Sequence, residues 1–132
     1  MQTIKDFFKR DKFAEHAGIE LLEVAPGYSK ARMVLAPQHL NGFGVAHGGA
    51  IFTLADFAFA AAANSYGTLS VAINCHISFM KAGVTGTLHV ECRELSKNFK
   101  LGTYTAEVRD DQGELVAIFQ GMAYRKQDKL PV

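Results

Sequence analysis

One acidic residue stands apart in this sequence. Asp56 lies inside Ala50–Ala63, a run otherwise made of Ala, Phe, Leu, Ile and Thr, and no Lys or Arg sits three or four positions to either side to pair with it. A carboxylate without a partner in apolar surroundings is expensive to keep. Such groups concentrate where acid–base or nucleophilic chemistry is done, the bland alternative being an Asp bonded to backbone at a subunit seam. Just upstream, His47-Gly48-Gly49 leads into the same run. If the run is a helix, its first N–H groups have no internal acceptor and carry partial positive charge, and glycine leaves them uncovered. A carbonyl oxygen that gains negative charge during a reaction would be stabilised there. Asn41, seven residues before Gly48, and His47 could help to hold that oxygen or a water; equally, Asn41-Gly42 is a common turn pair and His47 can serve to fix the loop.

Spacing turns these residues into a statement about assembly. Gly48 and Asp56 are eight positions apart. At helical rise this is about 12 Å along the axis, too far for one chain to polarise a carbonyl and attack its carbon. Two antiparallel copies of the helix bring one Asp56 to the other's Gly48, so the spacing predicts a homodimer with shared active sites.

The elements that must position these groups follow from pattern. Ile4–Glu15 reads as a short amphipathic helix with Phe7, Phe8 and Phe13 on its apolar side and Gly18 as its stop. Ile19–Val24 and Tyr28–Leu35 read as strands around a Pro26-Gly27 turn, and Ala36–Ala46 as a loop. The segment from His47 to Gly67 holds a helix of about four or five turns, stopped by Gly67, whose middle is apolar on every side and so expected to be buried all round. Four strands follow: Leu69–Met80, Thr87–Leu95, Thr103–Arg109, where Tyr104, Ala106 and Val108 share a face, and Leu115–Tyr124. Short connections favour antiparallel neighbours, and a wholly apolar helix must be wrapped by the sheet. The expected fold class is α+β: one domain over residues 1–132, an antiparallel sheet curled around one long central helix.

Composition removes several classes of function. A formal charge of +1, from 14 basic and 13 acidic residues, lacks the basic stripe of a nucleic-acid binder. The longest apolar run is too short to span a membrane, and the charged, aromatic start does not read as a secretory signal. Cys75 and Cys92 make no CxxC motif and read as two reduced, buried thiols of a cytoplasmic protein. No metal-ligand spacing is present, so no metal is expected, and His16, His39, His76 and His89 carry no evident chemistry.

The run Asn41-Gly42-x-x-x-x-His47-Gly48-Gly49, continued by Ala50-x-Phe52-Thr53-Leu54-Ala55-Asp56, resembles the hotdog-fold thioesterases, in their PaaI-like (phenylacetyl-CoA type) branch. The resemblance extends from the first strand to Tyr124. It implies hydrolysis of acyl-CoA thioesters without a cofactor, Asp56 as nucleophile or general base, and the Gly48 amide as the donor to the thioester carbonyl, aided by Asn41 and His47. It also implies a dimer, often doubled into a tetramer. Some relatives carry a hydroxyl on the strand after the helix where this chain has Ala72; Thr53, one turn before Asp56, is the candidate to orient the carboxylate instead. Gly49, Thr53 and Phe79 are candidate substrate contacts, and Phe52, Phe57, Phe59 and Met80 are further apolar residues for the acyl group. Basic residues should meet the CoA phosphates: Lys81, Arg93, Lys97 and Lys100 qualify, Lys97 and Lys100 foremost. Two other readings fit the motif less well, a hotdog hydratase or dehydratase and an acyl-CoA-binding module without turnover.

Overall fold

The structure is a computed structural model that describes residues 2–132. Its elements run α1 (Ile4–Phe8), α2 (Lys12–Ala17), β1 (Ile19–Ala25), β2 (Tyr28–Val34), one 3-10 turn (Pro37–His39), α3 (Gly48–Ala63), β3 (Thr68–Phe79), β4 (Thr87–Lys97), β5 (Leu101–Arg109) and β6 (Leu115–Lys129). The single amino-terminal helix expected from Phe7, Phe8 and Phe13 is two helices. Thr3 and Asp6 cap the first reciprocally, and the Asp11 carboxylate accepts the Ala14 N–H to start the second. The break turns the aromatics apart. Phe8 packs edge-on against Phe57 at 5.8 Å between ring centroids, while Phe13 is 68% exposed.

All six strands form one antiparallel sheet in the order β1-β2-β4-β5-β6-β3. Helix α3 packs against one face of it, chiefly over β2, β4 and β5. The alternation read in β5 holds: Tyr104, Ala106 and Val108 are buried, with Phe59 of α3 set against Tyr104 and Phe119. Two buried polar links fix the helix to the sheet. The Ser29 hydroxyl donates to the Ala58 carbonyl at 2.5 Å. Asn64, which caps α3, donates to the Ala60 and Ser70 carbonyls and accepts the Ser70 N–H.

Two expectations fail in ways that bear on assembly. Strand β3 does not neighbour β4; it crosses to pair with β6 and becomes an edge, exposed from Val71 to His76. Cys75 is therefore exposed in the single chain, although Cys92 is buried as expected. Nor is α3 covered on all sides. Ile51, Leu54, Phe57, Ala58 and Phe59 are buried, but Gly49, Thr53, Asp56 and Ala60 form a stripe that is not. Their spacing of four, three and four places them on one helical face.

Candidate active site

The loop before α3 is built by its own polar groups. The Asn41 side-chain oxygen accepts the Phe43 N–H at 2.9 Å and the Val45 N–H at 3.3 Å, and the Asn41 N–H donates to the Val45 carbonyl. That closes a turn whose tip, Phe43, is 93% exposed. Of the two roles open to Asn41, its oxygen performs the turn role, which leaves its NH2 group as the donor available to a ligand.

His47 caps α3. Its Nδ1 accepts the Gly49 N–H at 2.7 Å, so in the neutral ring the proton sits on Nε2, a donor. A Cβ on Gly49 would stand 2.9 Å from that Nδ1, so glycine is required there by the cap. The Gly49 amide is thereby consumed. The Gly48 N–H is the first of the helix and has no acceptor among the described residues. Phe79 lies beside it: a Cβ on Gly48 would be 3.2 Å from the Phe79 ring. The structure thus brings Gly48, His47, Gly49 and Phe79 together at one helix end.

Asp56 stands eight residues further along the same unbroken helix, half-buried. Among the described residues nothing donates a hydrogen bond to it and no cation pairs with it. Burial pushes its pKa above the ordinary 3.8, and the Asp11 carboxylate pushes it further. On β3 the pKa of the Cys75 thiol, in a residue that is exposed overall, is raised by partial desolvation of its sulfur and by the Asp56 charge. Thr53 does not orient Asp56, because its hydroxyl donates back to the Gly49 carbonyl at 2.7 Å.

The remaining candidates separate. Phe57 and Phe59 are core, whereas Phe79 and Met80 are about half exposed. Lys81 is held by Asp110 at 2.6 Å and Glu114 at 2.8 Å, and Arg93 pairs with Glu91 over the Tyr28 ring, so neither is a free phosphate contact. Lys97 sits 3.6 Å from the centre of the Tyr66 ring, just past the carboxyl end of α3. Lys100 is on the adjoining β4–β5 turn, whose Asn98 carbonyl receives a hydrogen bond from Arg125. The two lysines thus lie at the opposite end of α3 from Gly48. Arg125 belongs to this basic group and was not among the sequence candidates; only the pairing of β5 with β6 brings it there.

His39 also escaped the sequence reading. Buried, it accepts the Ala36 N–H on Nδ1, and its Nε2 donates to the Ala17 carbonyl at 2.6 Å. Its own carbonyl accepts the His47 N–H at 2.7 Å. It ties α2, the 3-10 turn and the start of α3 into one unit. Among the described residues no three His, Cys, Asp or Glu side chains converge as metal ligands, and no helix is long and apolar enough to cross a membrane.

The model of the thioesterase superfamily matches residues 43–117, from the exposed loop tip through α3 to β6. An Archaeoglobus fulgidus protein is 41% identical, over 99% of this chain and 86% of its own. The acyl-coenzyme A thioesterase PaaI of Escherichia coli is 34% identical, over 94% of this chain and 89% of its own. The solved structure of E. coli PaaI, a protein of the phenylacetic acid degradation operon, superposes with a TM-score of 0.89 over 93% of this chain and 90% of that one. The TT0310 protein of Thermus thermophilus, 36% identical, gives 0.84 over 89% of this chain and 99% of its own. With an unbonded helix-start amide, an unpaired carboxylate on the same helix, and this likeness in sequence and fold, the chain belongs to the thioesterase superfamily, as a PaaI-like, hotdog-fold thioester hydrolase.

Proposed function

We propose that the protein hydrolyses acyl-CoA thioesters to the free acid and CoA, with aryl or short- to medium-chain acyl groups, at sites shared between two copies. The observation that carries this is the presence on α3 of a Gly48 N–H without an acceptor and an Asp56 without a partner among the described residues, about 12 Å apart along the axis. The thioester carbonyl accepts from Gly48 N–H of one protomer, with His47 Nε2–H and the Asn41 NH2 group beside it. Asp56 of the other protomer supplies the carboxylate, which attacks the carbonyl carbon or takes a proton from the attacking water. Either route consumes one water, breaks the C–S bond and returns the proton to the CoA thiolate. The positive end of the facing helix offsets part of the burial penalty on Asp56 and favours its charged form.

The dimer reading rests on β3 and the stripe on α3. A twelve-residue edge with no Pro or Lys, exposing Val71, Ile73 and Phe79, is the kind that natural sheets protect. A two-fold axis that sets β3 against its copy, antiparallel, covers both the edge and the neighbouring stripe of Gly49, Thr53, Asp56 and Ala60. Lys97 and Lys100 then serve the CoA phosphates from the far end of α3. The unpaired Cys75 and Cys92 suit a reducing cytoplasm.

The deciding measurement is release of free thiol from a panel of acyl-CoAs, with EDTA present. Hydrolysis of at least one aryl or medium-chain acyl-CoA, unaffected by EDTA, supports the proposal. No turnover across the panel, or turnover abolished by EDTA, overturns it.

A further inference from the structure

A cavity of about 400 Å³ opens beside the start of α3 and has no role so far. Phe13 and Ala17 of α2, Leu40 of the loop, and Ala50 and Thr53 of α3 line it, and it reaches His47. We infer that this cavity holds the acyl group of the substrate, and that Phe13 and Ala17 of α2 set the size of acyl group accepted. The inference rests on the thioester reading above and names its specificity element.

Three observations carry it. The first is position. His47 and Gly49, which line the cavity, flank the Gly48 amide, and Thr53 continues the lining one turn further along α3. A carbonyl held at Gly48 N–H therefore has its substituent at the cavity mouth. The second is chemistry. No Asp, Glu, Lys or Arg lines the cavity; its polar lining is Gln38, Thr53 and the imidazoles of His16, His39 and His47, so it suits an uncharged group better than the phosphates of CoA. The larger crevice between α1, α2 and β1, about 570 Å³, is rimmed by Lys5, Lys9, Asp11, Glu15 and Glu20; of the residues considered for the acyl group it holds only Phe57, and none of those at the start of α3. The third is a standing apolar surface on fixed walls. Phe13 is 68% and Leu40 41% exposed, and a bound apolar group covers both. His39 ties the end of α2 to the loop through Ala17 and Ala36, so the walls stand ready before the ligand arrives. A volume near 400 Å³ is at the small end of ligand pockets, which fits a compact aryl or medium-length acyl group.

The test compares kcat/KM for acetyl, hexanoyl, phenylacetyl and decanoyl thioesters, each as the CoA ester and as the N-acetylcysteamine ester. The proteins are the parent, Ala17→Phe, Phe13→Ala and Leu40→Ala. Ala17→Phe should lower hexanoyl and phenylacetyl hydrolysis about tenfold or more relative to acetyl, the range that a change of pocket volume supports. Phe13→Ala and Leu40→Ala remove exposed side chains, so they fold even if Ala17→Phe does not, and they should shift preference toward decanoyl. The shift should be the same in both ester series. If every thioester slows by one common factor, or if the variants weaken self-association instead, a second copy or the CoA arm fills the cavity and the inference is overturned. If the parent cleaves no thioester, the functional reading fails separately. Binding of phenylacetate and hexanoate, followed by NMR on parent and Phe13→Ala, then judges the cavity: no binding to the parent, or binding unchanged in the variant, overturns it.

Discussion

Replacing Gly48 by valine attacks one half of the proposed site, and replacing Asp56 by asparagine attacks the other. The structure says how each defect acts. A Cβ on Gly48 stands 3.2 Å from the end of the Phe79 ring, a half-exposed side chain that can move aside, so Gly48→Val should fold while its methyl groups cover the amide of residue 48. Asp56→Asn is isosteric and removes only the charge. Each homodimer then carries one defect in every site and should be nearly inactive. Unfolded together and refolded at equal amounts, about half of the dimers are mixed if pairing is random. In a mixed dimer one site collects both defects and the other neither. About a quarter of all sites are then intact, and thioester hydrolysis should recover toward that fraction of the parent rate. The assay is thiol release from whichever acyl-CoA the parent prefers, with exchange of subunits confirmed by mass. The span of about 12 Å along α3 is the source of the prediction. A mixed sample as inactive as its parents, with exchange demonstrated, refutes the shared site.

Asp56→Asn alone should lower kcat by roughly 10² to 10⁴, the effect of losing a positioned acid–base group. Burial holds the Asp56 proton on above pH 3.8, so the native state binds that proton more tightly than the unfolded chain does. Ionised Asp56 therefore costs stability at neutral pH, and the cost is relieved as the pH falls through the raised pKa toward 3.8; the Asn variant should melt at pH 7 no lower than the parent. By the same sign, the acid limb of kcat/KM should lie above 3.8 and be missing from the residual activity of Asp56→Asn, and a limb at or below 3.8 would count against the assignment. Lys100→Ala should raise KM for acyl-CoA by a few fold, about 1 kcal/mol or less, with no effect on the N-acetylcysteamine ester; Lys97→Ala should do the same, though it also removes the cation over Tyr66, and equal losses on both substrates would mean that the lysines act through the fold. Asn64→Ala should destabilise by about 2 to 3 kcal/mol in urea melts, because it leaves the buried Ser70 backbone without its partners, and a loss under 0.5 kcal/mol would mean that water replaces them.

Some of this was legible in the sequence because it is local. The start of α3 is declared by His47-Gly48-Gly49, and its interior by the apolar run that makes Asp56 conspicuous. The buried face of β5 follows from strict alternation. What was not legible depends on contacts between distant residues. Lys81 reads as a free cation until Asp110, 29 positions away, meets it. Asp11 acts on Asp56 from another helix, and His39 becomes a tie only when α2 folds back upon the loop. The split between α1 and α2 was within reach, since Asp11 is a plain N-cap ahead of Ala14, but three phenylalanines within one short stretch outweighed it. The edge position of β3 was not, because chain order and short connections favour β4 as its neighbour.

The two misjudged surfaces point to the same conclusion. Helix α3 was expected to be buried all round, from its apolar composition, and β3 to neighbour β4, from their short connection. Apolar composition reports burial in the working assembly as well as in the single chain. The single chain leaves an apolar edge strand and, beside it, a helical stripe carrying an unpaired carboxylate. A monomer would bear a liability at the edge and a desolvation cost at Asp56 with nothing gained from either. In the proposed dimer, a second copy across a two-fold axis removes both together: it supplies ladder partners to β3 and a positive helix end to Asp56. On that proposal, the residues that look misplaced in one chain are the ones that join the dimer to its chemistry.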